Sequence, residues 1–334
     1  MNKVLIGIIG LTFFTTIACN RDNNRLDFEV EIPDFDFPKT VDFEQNLSAY
    51  NIFEGTLADL TPTSDFQLLE LSAILFTDYA QKQRLVKVPE GTQMTKLNDG
   101  SIDFPDGTIL TKTFFYYKDE RNIELGKRII ETRLLIKEED TWNVATYIWN
   151  QAQTDATLEL NGLDTEVSWI NAEGNTISTL YHVPDENECI TCHQSNSKMI
   201  PLGTRLRNIN RVVERNGETF NQISHLQSIG VLSDFQVSEV SKIVDYDDLN
   251  ASLVDRSRAY LEMNCAHCHN PNAWEVPTER EFDFRYETSF NGTGIRFEKD
   301  KIKEALVDRE MPFIGTTILD DEGVDLIIEY LDSL

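Results

Sequence analysis

The sequence predicts a multi-domain α+β protein, with a β-rich N-terminal domain followed by mainly α-helical regions. Three observations carry this. Between Thr108 and Ile170 the chain runs through segments dense in β-branched and aromatic residues, separated by turn signals. After Pro184 the apolar residues change to helical spacing. The 334 residues suffice for two or three modest cores.

The chain opens Met1, Asn2, Lys3, then an apolar run from Val4 to Ile17, shorter than the roughly 20 residues that span a membrane. Residues 1–18 therefore read as a signal peptide. Thr16-Ile17-Ala18-Cys19 matches a bacterial lipobox, which makes Cys19 the lipidated first residue of the mature chain and anchors it to a membrane of the cell envelope. Residues 19–44, with Pro33, Pro38 and isolated aromatics such as Phe35 and Phe37 among polar residues, read as a tether.

Residues 45–183 form the predicted β-rich domain. A helix is predicted over Leu68–Lys82, then strands over Thr108–Tyr117, Arg128–Lys137, Asn143–Trp149 and Glu166–Ile170. Asp106-Gly107 and Glu173-Gly174-Asn175 supply turns. Residues 184–254 and 255–334 are the two helical regions. Phe220, Ile223, Leu226, Ile229 and Leu232 recur at three-residue steps, and a helix is predicted over Asp255–Asn264. Asp320 is the predicted N-cap of a last helix, with Asp321 and Glu322 in its first turn and a stripe of Val324, Ile327, Ile328, Leu331 and Leu334.

The chain holds 57 acidic and 30 basic residues, a formal charge of −27. Such a surface repels nucleic acid and draws basic partners, so a nucleic-acid role is excluded and basic protein partners are expected.

Chemistry concentrates in two blocks, Cys189-Ile190-Thr191-Cys192-His193 and Cys265-Ala266-His267-Cys268-His269. With Cys19 assigned to lipid, the five cysteines leave none for a disulfide. Covalent haem attachment needs two thiols about one helical turn apart, for the two vinyl groups, and an imidazole directly after them for the iron. Two rivals share the spacing: a thioredoxin-like redox pair, which explains neither the histidine nor the second copy, and a four-cysteine zinc site, which gains nothing from a histidine after each pair. The sequence thus predicts two covalently attached haem c groups, held by Cys189, Cys192, Cys265 and Cys268, with His193 and His269 on iron. The parts around the second block follow the order of a cytochrome c: helix, motif, a methionine before a proline at Met311-Pro312, and a closing helix. Met311 is the predicted distal ligand, and a thioether there raises the potential. For the first block Met199 is too near in sequence, His225 lies on an amphipathic helix, His182 precedes the motif, and the distal ligand stays unassigned.

Further runs carry a resemblance: Leu75-Phe76-Thr77-Asp78-Tyr79-Ala80, Pro89-Glu90-Gly91-Thr92, Phe104-Pro105-Asp106-Gly107-Thr108, Glu131-Thr132-Arg133, Tyr147-Ile148-Trp149-Asn150 and Arg258-Ala259-Tyr260-Leu261 before the second motif. Over roughly residues 46–334 the chain resembles a bacterial family of di-haem c-type cytochromes with a β-rich N-terminal region and a class I cytochrome c-like C-terminal domain. The resemblance implies haem attachment at the four cysteines and iron ligation by His193 and His269. It implies no substrate, which leaves the β-rich domain without a role. The expected function is electron transfer in the bacterial cell envelope with redox protein partners. The rivals are a di-haem peroxidase-like oxidoreductase with an open first haem, for which Glu186 and Glu188 are the nearest acids, and a β-domain that docks a partner.

Overall fold

A computed structural model describes residues 37–273, 282–312 and 314–334. The predicted signal peptide, Cys19 and the tether up to residue 36 lie outside the described residues. Residues 37–44 run along the body: Thr40 N donates to Asn143 Oδ1 at 2.9 Å, and the Tyr147 hydroxyl donates to the Glu44 carbonyl at 2.7 Å.

Strands β1 (Gln67–Leu68) and β2 (Gln81–Lys87) precede a small hairpin of β3 (Thr95–Lys96) and β4 (Ile102–Asp103). The long strands β5 (Ile109–Tyr117), β6 (Lys127–Glu138) and β7 (Thr141–Trp149) and the short β8 (Ala156–Glu159) follow. Together they build a six-stranded antiparallel sheet in the order β1-β2-β5-β6-β7-β8. Glu139 and Asp140 both adopt the left-handed conformation that a tight two-residue hairpin turn needs between β6 and β7. A hairpin of β9 (Leu163–Ile170) and β10 (Thr176–Val183) packs against β5.

The period-2 pattern of these strands gives the sheet two unlike faces. One buries Leu85, Phe115, Leu134, Ala145, Tyr147 and Trp149 under the turns of residues 47–66. On the other, Val86, Leu110, Leu135 and Val144 join a core that runs on through Cys189, Leu206, Ile223, Ala259 and Leu331. One continuous core therefore crosses the predicted boundaries at 184 and 255. Asn208 ties the parts together, accepting from Ala73 N at 2.9 Å and donating to Ala73 O at 3.0 Å.

The second half is not mainly helical, which corrects the predicted fold class. Over all the described residues strand (28%) exceeds helix (25%), and in the second half the helices are separated by two hairpins and long irregular chain. After α1 (Glu186–His193), strands β11 (Gln194–Ser195) and β12 (Lys198–Met199) turn back at Asn196-Ser197. After α2 (Leu206–Ile209), β13 (Val212–Arg215) and β14 (Glu218–Asn221) turn back at Asn216-Gly217. All four turn residues have positive φ, and short polar residues favour such turns over helix. The three-residue steps from Phe220 to Leu232 are likewise divided among β14, the short α3 (Gln222–Ser228) and the chain after Gly230. The helix predicted over Leu68–Lys82 is absent as well. Leu69, Leu71 and Ala73 are buried at a two-residue period in extended chain, where Glu70 N and Ala73 N donate to the Gln222 and Asn208 side chains.

The remaining helices are α4 (Leu253–Asn264), α5 (Ile295–Val307) and α6 (Asp321–Asp332), the last capped by the Asp320 carboxylate. No helix among the described residues is long and apolar enough to cross a membrane. Helices α4 and α6 cross at Gly323, where a Cβ would lie 2.2 Å from the Tyr260 ring. Gly323→Ala is expected to destabilise the fold by about 1–3 kcal/mol through overpacking, read as a lower urea midpoint; an unchanged midpoint would mean that this crossing is not tight.

Candidate cofactor centre

Helix α1 starts in a reciprocal cap, with Glu188 N donating to Asp185 Oδ1 and Asp185 N to Glu188 Oε2, both at 2.9 Å. This fixes a short helix whose last turns carry Cys189, Cys192 and His193. Helix α4 is capped by Ser252 and ends at Asn264. One more turn follows, in which His269 N donates to Cys265 O at 2.8 Å, so the second pair of thiols is also one turn apart.

The two motifs meet. Ligand atoms of Cys192, His267 and Cys268 all lie within 4.8 Å of one another, and just beyond the motifs Asn196 N donates to Asn272 O at 2.8 Å. Cys189 and Cys265 stand outside this group, so the four sulfurs do not form the tetrahedral set of a four-cysteine zinc site. Burial pushes the Cys189 and Cys265 thiols up to about 12. A hydrogen bond with Cys268 and burial raise Cys192 well above its ordinary value. A thioredoxin-like pair needs a depressed thiol, which is the opposite shift.

Both terminal histidines are neutral imidazoles, the form that ligates metal. Burial lowers His193 to about 3 and His269 to about 4. His193 Nδ1 lies 2.8 Å from the Ile200 carbonyl, which can only accept, so the proton is on Nδ1 and the Nε2 lone pair is left for a metal. His269 packs against Phe284, with ring centroids 5.2 Å apart, and against Phe282 at 5.7 Å.

Cys265, Cys268 and His269 line one wall of a largely apolar cavity of about 920 Å³, counting the part open to solvent. Met311, Pro312 and Leu319 contribute to its lining as well, and Leu75 and Phe76 complete it. A second cavity of about 790 Å³, lined by Cys192, Gln194, Arg205, Arg207 and His267, adjoins the first at Cys192 and His267.

The run Phe76-Thr77-Asp78-Tyr79 fastens this centre. Phe76 N donates to Asn264 Oδ1 at 2.7 Å, directly before the second motif. The Asp78 carboxylate accepts from Thr317 N and Oγ1, both at 2.8 Å, and from Ile318 N at 3.1 Å, which fixes the loop that follows Met311. Asp78 and Tyr79 both have positive φ, a conformation costing roughly 1–2 kcal/mol per residue, and the Tyr116 hydroxyl holds the Asp78 carbonyl at 2.8 Å.

None of the distal candidates weighed for the first motif lines either cavity. Met199 is buried in the shared core, and His225 stacks on Phe220 at 4.5 Å. His182 contacts Asp164 through Nδ1 at 2.7 Å and Glu188 through Nε2 at 2.9 Å. Glu186 pairs with Lys39 at 2.6 Å, so both acids near the first motif are engaged in structural contacts. Sequence reasoning missed His267 as a partner of Cys192, since its one signal was a histidine inside the second motif. Comparison with protein-family models, with curated proteins and with solved structures finds no match to this chain.

His182 supplies a pH signature. The hydrogen bond with Glu188, with that of Asp164, raises it from 6.5 to about 9. Its folded value is raised, so its contribution is complete below about 6.5 and is lost as pH rises through about 9. His182→Asn is expected to cost less than about 1 kcal/mol at pH 6, since solvent screens this partly exposed pair, and nothing at pH 10. Urea unfolding at the two pH values checks this, and a deficit independent of pH would contradict it.

Proposed function

We propose that this chain is a di-haem c-type cytochrome that carries electrons in the bacterial cell envelope. The observation that carries the reading is the meeting of two Cys-x-x-Cys-His segments at a largely apolar cavity that His269 and Met311 both line. The residues fit the group. Two thiols stand one turn apart in each segment and each terminal imidazole is neutral; at the second segment the cavity is largely apolar, with Met311 in its lining. Bound haem would supply a one-electron iron couple.

The chain's own residues do the rest. Cys189 and Cys192, and Cys265 and Cys268, would anchor the two groups; His193 and His269 would ligate the irons, and Met311 would raise the potential of the second. Asp78 and Asn264 position the Met311 loop and the second motif. Groups anchored at Cys192 and Cys268 would start from sulfurs within 4.8 Å, close enough for electron exchange between them. The acidic surface suits basic redox partners, and a lipid on Cys19 would keep the protein at its membrane.

One observation favours a second reading. Cys192, His267 and Cys268 offer three ligand atoms in one place, as a zinc or copper site would. That reading leaves Cys189, Cys265, His193, His269 and Met311 without a role. The peroxidase-like alternative draws on the first motif having no assigned distal ligand, but the two acids nearest it in sequence, Glu186 and Glu188, are bound to Lys39 and His182.

A pyridine haemochrome assay on the mature protein is expected to count two covalent haems per chain, and one in a Cys189→Ala/Cys192→Ala variant. Met311→Ala is expected to turn one low-spin haem high-spin. Absence of covalent haem, with one bound zinc per chain, would overturn the reading.

A further inference from the structure

The face of the sheet that carries the shared core also carries charge. Arg84 on β2 pairs in register with Lys112 on β5, and Lys112 with Arg133 on β6, so three cations lie in one row across adjacent strands. Like charges directly opposite on neighbouring strands repel, and an acidic chain with 57 carboxylates has no shortage of counter-charges to place there. Yet among the described residues Glu131 is the one carboxylate bonded to the row, and it is committed: both its oxygens bind Arg133, at 2.6 and 2.8 Å, and it accepts from the Tyr181 hydroxyl at 2.6 Å. Among the described residues neither the Arg84 guanidinium nor the Lys112 ammonium has a hydrogen-bond or ion-pair partner; Lys112 only overlies the Phe114 ring at 4.7 Å. Both are desolvated by the surrounding fold and half-buried rather than fully enclosed.

The surrounding groups do not relieve the row. Asp78 is bound to Thr317 and Ile318, and Asp320 caps α6; both act on Lys82, at the edge of the row. The Tyr246 phenol beside Arg84 is neutral, its ionisation pushed far up by burial. The row lies on the face of the first motif: Val86, Leu110 and Leu135, two residues along their strands from Arg84, Lys112 and Arg133, share one core with Cys189 and Ile190.

We propose that Arg84, Lys112 and Arg133 form an anion site for a pair of carboxylates, supplied by the porphyrin propionates of the group anchored at Cys189 and Cys192. This deepens the di-haem reading and rests on it. Charge-assisted hydrogen bonds from a guanidinium and an ammonium are what a carboxylate pair takes, and its two negative charges would neutralise Arg84 and Lys112, which Glu131 leaves unpaired.

The test uses the full holoprotein. Midpoint potentials of both haems are measured by spectroelectrochemical titration in wild type, Arg84→Met, Lys112→Met and Arg84→Lys, with each haem assigned from a single-motif variant. Loss of a cation beside the propionates is expected to shift the first haem about tenfold toward its oxidised form, 59 mV for one electron. The second haem should shift less than twofold, and Arg84→Lys, which keeps the charge, should hold most of the wild-type potential. Unchanged potentials in both Met variants, with a raised thermal midpoint from relief of repulsion, would overturn the site. If the wild type carries no covalent haem, the di-haem reading fails by itself, and the colourless full chain is titrated with succinate. Binding weakened at least tenfold in Lys112→Met would then keep the carboxylate site with a free dianion as its source, and absence of binding would overturn it.

Discussion

The Asp78 carboxylate accepts three hydrogen bonds from Thr317 and Ile318, far along the chain, and two residues earlier Phe76 N is bound to Asn264. Through these contacts one turn at the edge of the sheet governs both the approach of the second cysteine motif and the course of the loop after Met311. The turn holds two consecutive left-handed residues, Asp78 and Tyr79, and burial keeps the Asp78 carboxyl above its usual range. Strain and desolvation of this kind persist only where the surroundings over-determine them. Here they lie beside the cavity that His269 and Met311 line.

The sheet thus acts as a platform rather than as a separate module. Its faces divide the work. One is sealed by apolar side chains and by hydroxyl contacts such as Thr113 to Thr132 at 2.9 Å and Trp149 to Thr132 at 3.0 Å. The other continues into the core that holds Cys189 and Ile190 and carries the band of cations. A rigid antiparallel sheet suits this, because register fixes which side chains stand abreast.

Much of the sheet was legible in the sequence, because half-buried strands must alternate. The predicted segments at Thr108–Tyr117, Arg128–Lys137, Asn143–Trp149 and Glu166–Ile170 fall on β5, β6, β7 and β9. The errors share one cause: apolar spacing was read without asking where the backbone hydrogen bonds go. Residues 68–80 look helical by apolar spacing, but the Glu70 and Ala73 amides are satisfied by the Gln222 and Asn208 side chains and the Phe76 amide by Asn264, all from the other half of the chain. The mainly helical second half failed in the same way, since Asn196-Ser197 and Asn216-Gly217 are turns whose meaning depends on the flanking residues pairing. Each motif is visible as a local pattern, but their meeting is a tertiary fact with no local trace. Glu131-Thr132-Arg133 reads in sequence as part of the family pattern, but that Arg84, Lys112 and Arg133 stand abreast follows only from the strand register.

The most direct measurement is the electron paramagnetic resonance spectrum of the fully oxidised protein, set against the sum of spectra from two single-motif variants. Groups anchored at Cys192 and Cys268, on sulfurs within 4.8 Å, should be magnetically coupled, so the wild-type spectrum should differ from that sum. A wild-type spectrum equal to the sum would contradict the meeting of the two motifs as a shared redox centre, and the absence of any haem signal would contradict the centre itself.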